Sequence, residues 1–163
     1  MKHTIKNIAI ATSLCSALLV STVGYAEENA TSTVQVEENK NIVVYDHQLN
    51  LITKKSIQSK PKGLAYSANG KWLISGRDSK INNVNIYNVT ANYHKTLSFR
   101  QHNDLAMAVG FLNNNTAVSA GGKNKEILIW NIHNGEVQKR IEGVGQPVLN
   151  VAISGDTIAW SNS

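Results

Sequence analysis

Few side chains in this sequence have the makings of chemistry. His102 stands two residues before Asp104 and has serines in the segments around it. A histidine, an acid and a serine would suit a general base, its orienting carboxylate and a nucleophile. His47, His94 and His133 fall in separate turn-like stretches without the spacing of metal ligands. GGKNK, Gly121 to Lys125, has the glycines and lysines of a phosphate loop. It lacks the GxxxxGK[ST] spacing and lies between two apolar runs rather than opening a helix, so it reads as a hairpin turn. Cys15 is the only cysteine. These residues compose no catalytic constellation, and they call for no metal and no cofactor. The expectation is a protein that is not an enzyme.

The amino terminus addresses the compartment. Residues 1–26, MKHTIKNIAIATSLCSALLVSTVGYA, carry Lys2 and Lys6 ahead of an apolar run from Ile8 to Val23 and close on Gly24-Tyr25-Ala26. That is the three-part layout of an export signal, with cleavage expected after Ala26. The run is shorter than the roughly 20 apolar residues that a spanning helix prefers, so no stable membrane anchor is expected after cleavage. Leu14 stands before Cys15 where an acylated cysteine has a small residue, which disfavours lipidation. Cleavage would remove that cysteine, and packing alone would then stabilise the exported, periplasmic or extracellular chain.

Composition narrows the function classes. The chain of 163 residues is 42% hydrophobic and 17% charged, too apolar for wholesale disorder. Loss of Lys2 and Lys6 leaves 14 Lys and Arg against 11 Asp and Glu. This mild basic excess is scattered, so neither a nucleic-acid interface nor a basic amphipathic helix is indicated. Residues 27–40 hold Glu27, Glu28, Glu37 and Glu38 and read as a polar linker.

From Asn41 onwards, short runs of Val, Ile, Leu and aromatics alternate with Asn, Gly, Ser and Asp. The pattern predicts an all-β chain. It also repeats. NIVVYD, NVNIYN and EILIWN end in Tyr45, Tyr87 and Trp130, spaced by 42 and 43 residues. Tyr66, Phe111 and Ile153 recur at 45 and 42, and Ser75, Ser119 and Ser161 at 44 and 42. Four strands in each period, over repeat segments 41–57, 61–100, 102–143 and 147–163, make blades of four antiparallel strands.

The residues at these positions resemble those of the WD-repeat β-propeller family, over Asn41 to Ser163. His102 lies about a strand ahead of AVGF, Ser119 in the second strand, and Trp130-Asn131 where the family has Trp-Asp. The resemblance implies that His102, Ser119 and Trp130 belong to a buried hydrogen-bonded set tying one blade together. The turn Asp of that set is missing, with Asn124 and Lys125 in its region. The preceding repeat is more degenerate, with Ser75 and Asp78 but Tyr87 in place of Trp and no His. In this register His102 is structural and not a general base.

The resemblance also implies a non-catalytic scaffold that binds protein partners through its loops. By position the loop-surface residues are Arg77, Asp78, Lys80, Lys123 and Lys125. The alternative is the front of a larger periplasmic propeller-containing enzyme, a dehydrogenase, hydrolase or protease accessory. Fewer than three full periods are present, against four to eight blades in a propeller. The expectation is therefore the front part of a longer propeller. A ring closed by two chains is the other solution, and self-association follows from it if the chain is complete.

Overall fold

The computed structural model describes residues 33–37, 41–46, 48–57, 60–77, 84–121, 125–143 and 146–162. The signal-like residues 1–26 lie outside them. Every regular element among the described residues is a strand. Among the described residues no helix is long and apolar enough to cross a membrane.

Two sheets are whole blades. Strands β4 (Pro61–Tyr66), β5 (Trp72–Arg77), β6 (Val84–Asn88) and β7 (His94–Phe99) form one, in the order β4-β5-β6-β7. Strands β8 (Ala106–Asn113), β9 (Thr116–Gly121), β10 (Glu126–Asn131) and β11 (Val137–Ile141) form the next. All pairings are antiparallel and join neighbours in sequence, because connections of two to six residues suffice for a meander. Two sheets are partial. Strands β2 (Asn41–Tyr45) and β3 (Leu51–Ser56) form a hairpin with β1 (Thr33–Glu37) on its β2 edge. Strands β12 (Val148–Ser154) and β13 (Thr157–Asn162) pair only with each other.

Strand β1 corrects the reading of residues 27–40 as linker. Its five residues pair with β2 from Thr33↔Tyr45 to Glu37↔Asn41. Val34 and Val36 alternate as a strand requires, but two apolar residues among acids and amides give little signal. The neighbouring strand supplies what composition does not.

Register ties the repeats together more firmly than spacing does. A bulge falls immediately before the aromatic in each third strand: Val44/Tyr45, Ile86/Tyr87 and Ile129/Trp130. Tyr45, Tyr87 and Trp130 are thereby structural equivalents. One alignment changes. Asn113 pairs with Thr116 across its two-residue turn, and Ser154 with Thr157 across its own. Counting from those turns, Trp160 is level with Ser119, and Ser161 points to the opposite face. The bulge between Phe111 and Asn113 adds a residue that the sequence alignment absorbs in the wrong place.

Blades pack face to face. Ile74, Val84, Ile86 and Phe99 of one whole blade bury against Ala117, Leu128, Trp130 and Ile132 of the next. A third-strand segment such as EILIWN is apolar on both faces because it is sandwiched between sheets. Gly121 makes one close approach feasible. At φ 149° a Cβ there would overlap the Leu105 carbonyl oxygen.

Candidate functional site

The most concentrated polar chemistry is sealed inside the β8–β11 blade. Ser119 on β9 and Trp130 on β10 share a face, and the Trp130 Nε1–H donates to Ser119 Oγ over 3.0 Å. His102 comes from the loop ahead of β8 and sets its Nε2 2.7 Å from the same oxygen. Because Ser119 Oγ accepts from the indole, its own proton is free to go to Nε2. That assigns the His102 ring proton to Nδ1, which lies 3.2 Å from Glu126 Oε1 without the alignment of a hydrogen bond. Arg140 on β11 grips the other oxygen of Glu126.

Glu126 is the residue that sequence reasoning misses. The turn ahead of β10 has no Asp, and the acid arrives instead at the first residue of the strand. Its signal was present, because Glu126, Leu128 and Trp130 alternate onto one face and place a carboxylate in an apolar row. Arg140 pairs with Leu128 across the ladder and so belongs to the same face. Both Glu126 and His102 are buried, whereas the Arg140 side chain is 37% exposed.

Serine, histidine and acid stand here in the atomic order of a nucleophile triad. The geometry nevertheless ties strands together. Ser119 is fully buried, and its oxygen is held between the indole N–H and the imidazole inside the blade. Burial, with the Arg140 charge adding to it, holds the His102 pKa down at about 4, so the ring is neutral near pH 7. The Phe99 ring stacks on Trp130 with centroids 4.0 Å apart and 7° between planes, which closes the inner side. The Phe99 edge also meets His102 at 6.0 Å.

Ser75 and Tyr87 are wired differently from this set. Ser75 Oγ donates to the Gly76 carbonyl instead of meeting Tyr87. Tyr87 OH accepts from Asn85 Nδ2 at 3.3 Å, and Ser98 Oγ donates to Asn85 Oδ1 at 2.8 Å. The tie in this blade therefore runs through β6 and β7. The reason lies at the position equivalent to His102. Ile57 precedes β4 by the same four residues as His102 precedes β8, and it packs with Tyr87 in an apolar cluster. Burial pushes the Tyr87 phenol up; the Asn85 bond and the nearby Arg77 charge oppose that shift.

The loop-surface residues fare unevenly. Arg77 is a correction: as the last residue of β5 it is only 3% exposed, a buried strand end and not a solvent-facing loop cation. Lys125 is half-buried with φ 55° and lines a cavity of about 290 Å³ with Ile127, Ile141, Val148 and Trp160. Asp78, Lys80 and Lys123 lie outside the described residues. Among the described residues no group of three or more His, Cys, Asp or Glu is placed to hold a metal ion.

Two solved structures share this arrangement of blades. The structure of U3-55K superposes with a TM-score of 0.71 at 15% identity, covering 88% of this chain and 48% of that one. The crystal structure of the RRP9 WD40 repeats gives 0.70 at 15% identity, with the same two coverages. The fold is that of a WD-repeat β-propeller. At this identity the likeness shows fold and nothing about partners. The chain spans about half the length of the solved propellers that it matches. No family model matches the sequence, and no curated protein does. The WD-repeat register explains why Trp130 and Ser119 meet. With no Asp in the turn ahead of β10, the acid beside the His102 ring is Glu126, at the start of that strand.

Proposed function

We propose that this chain is an exported, non-catalytic scaffold that binds protein partners through the loops at the end of its propeller blades. The observation that carries the reading is the sealed network. The one serine–histidine–acid set among the described residues is spent on holding a blade together, with no access for a substrate. A rigid stack of blades with variable turns is suited to recognition, because strands fix the positions of loops that are free to vary. The signal-like segment supports export, and Lys80, Lys123 and Lys125 are the cations proposed to meet a partner.

The test has two arms. Intact mass of the protein recovered from the exporting cell should show a chain that begins at Glu27. Lys80→Glu, Lys123→Glu and Lys125→Glu, combined, should abolish photo-crosslinking to the native partner while leaving the unfolding midpoint unchanged. Turnover of a substrate by the purified chain, lost in Ser119→Ala without loss of folding, would overturn the scaffold reading. A second reading, part of a larger propeller enzyme, is favoured only by the half-length match to solved propellers.

A further inference from the structure

The exposed large apolar side chains of the described residues are not scattered. Leu49, Leu51 and Ile52 lie on the β2–β3 hairpin, while Leu149 and Trp160 lie on β12–β13. These are the two incomplete sheets. Leu51 is 59% exposed and Trp160 48%, levels that the whole blades avoid.

The faces beneath them are unfinished in matching ways. On the β4–β7 blade, Ile86 and Phe99 are fully buried under Leu128 and Trp130 of the next blade. Their equivalents on the β8–β11 blade are Ile129 and Ile141, and both are only half-buried. The first two strands of the following sheet, β12 and β13, cover part of this face. Where a third and fourth strand would lie, a cavity of about 290 Å³ opens between Ile127, Ile141, Val148 and Trp160. The missing cover needs an aromatic in the place of Trp130 and an apolar residue in the place of Val137. Tyr45 is the register equivalent of Trp130, and Leu51 pairs with Tyr45 as Val137 pairs with Trp130.

We infer that the β2–β3 hairpin of a second copy of this chain docks on the open edge of β13 and completes that blade. The exchange is reciprocal, so two copies close a ring of six blades, within the four to eight that propellers use. Strand β1 is the built-in competitor. In the whole blades the second strand sits beside the third, as Ser119 sits beside Leu128. In that register Ile158 would face Tyr45 and Asn162 would face Asn41. Those are the partners that Thr33 and Glu37 of β1 hold. Strand β1 therefore caps the donor hairpin of an isolated copy, and its release is the step that admits the second copy. The inference stands on blade register and not on the scaffold reading.

Light scattering across a concentration series of the full chain tests it, with monomer passing to a discrete dimer as the expected result. Gln35→Pro combined with Val36→Pro removes β1 from β2, because one of two adjacent N–H groups must face the partner strand. Freeing the hairpin should lower the concentration for dimerisation about tenfold or more, since a cap reduces apparent affinity by the fraction of competent molecules. Leu51→Lys spoils every donor hairpin and Trp160→Lys every acceptor edge, so each variant alone should stay monomeric. Mixed together they retain one intact junction and should form a heterodimer. That complementation separates a lost interface from a lost fold. A strictly monomeric chain at all concentrations, with and without the β1 prolines, would overturn the proposal. So would dimers indifferent to Trp160→Lys, or no heterodimer from the mixture.

Discussion

Replacing Glu126 by Gln tests the wiring of the sealed network most directly. The side chain keeps its shape but loses its charge. Its carboxylate holds Arg140 on one oxygen and faces the His102 Nδ1–H at 3.2 Å on the other. A hydrogen bond to a charged group is worth about 1.5–3 kcal/mol. The Arg140 end is partly solvated, which cuts its share to about 1 kcal/mol. The His102 end is buried, and losing the attraction of the carboxylate for the Nδ1–H dipole in that low-dielectric site adds about 1–2 kcal/mol. The expected loss is about 2–3 kcal/mol, or a urea midpoint lowered by roughly 1 M with a slope near 2 kcal/mol per M. Glu142→Gln is the control, because Glu142 is exposed and its change should stay within about 0.5 kcal/mol. A double-mutant cycle with His102→Leu should return a coupling of about 1 kcal/mol between positions 102 and 126. If Glu126→Gln shifts the midpoint no more than Glu142→Gln does, Glu126 is not the acid of this network.

Three further outcomes follow from the same geometry. Between pH 6.5 and 4 the unfolded chain takes up a proton at His102 that the folded chain, with its pKa held near 4, refuses. Stability is therefore full above pH 6.5 and falls by about 3 kcal/mol toward pH 4, and urea midpoints for His102→Asn should lack that part of the slope. Ser119→Ala leaves both the Trp130 N–H and His102 Nε2 without their shared oxygen and should cost about 2–4 kcal/mol in denaturant titration. Ser75→Ala, which removes only a bond to the adjacent carbonyl, should cost less than about 1 kcal/mol by the same titration. Gly121→Ala must push against the Leu105 carbonyl and should prevent a cooperative thermal transition. Gly70→Ala, in open space at φ 66°, should lose only about 1 kcal/mol from its backbone.

How much of this was legible in the sequence depends on whether a feature is periodic or local. The aromatics Tyr45, Tyr87 and Trp130 marked the third strands because each blade repeats the same packing problem at nearly constant length. The His102–Ser119–Trp130 set followed from that register, and the structure brings these three together. Ser75 and Tyr87 did not follow, since Ile57 in the place of His102 removes the polar group that the network needs. Arg77 looked like a loop cation because its neighbours are polar, yet the end of β5 is covered. Strand β1 was hidden by composition, its pairing being a property of β2 as much as of itself.

The sequence by itself determined the strands of the repeats, the period and the blade type, because alternation and turn residues are encoded within a few positions of one another. Only the tertiary structure decided which acid serves His102, where Trp160 falls relative to Ser119, and which apolar faces lack cover. Those facts depend on bulges, cross-strand diagonals and the packing of one sheet on the next. Such contacts join residues that no local pattern links, so they exist only once the blades are stacked.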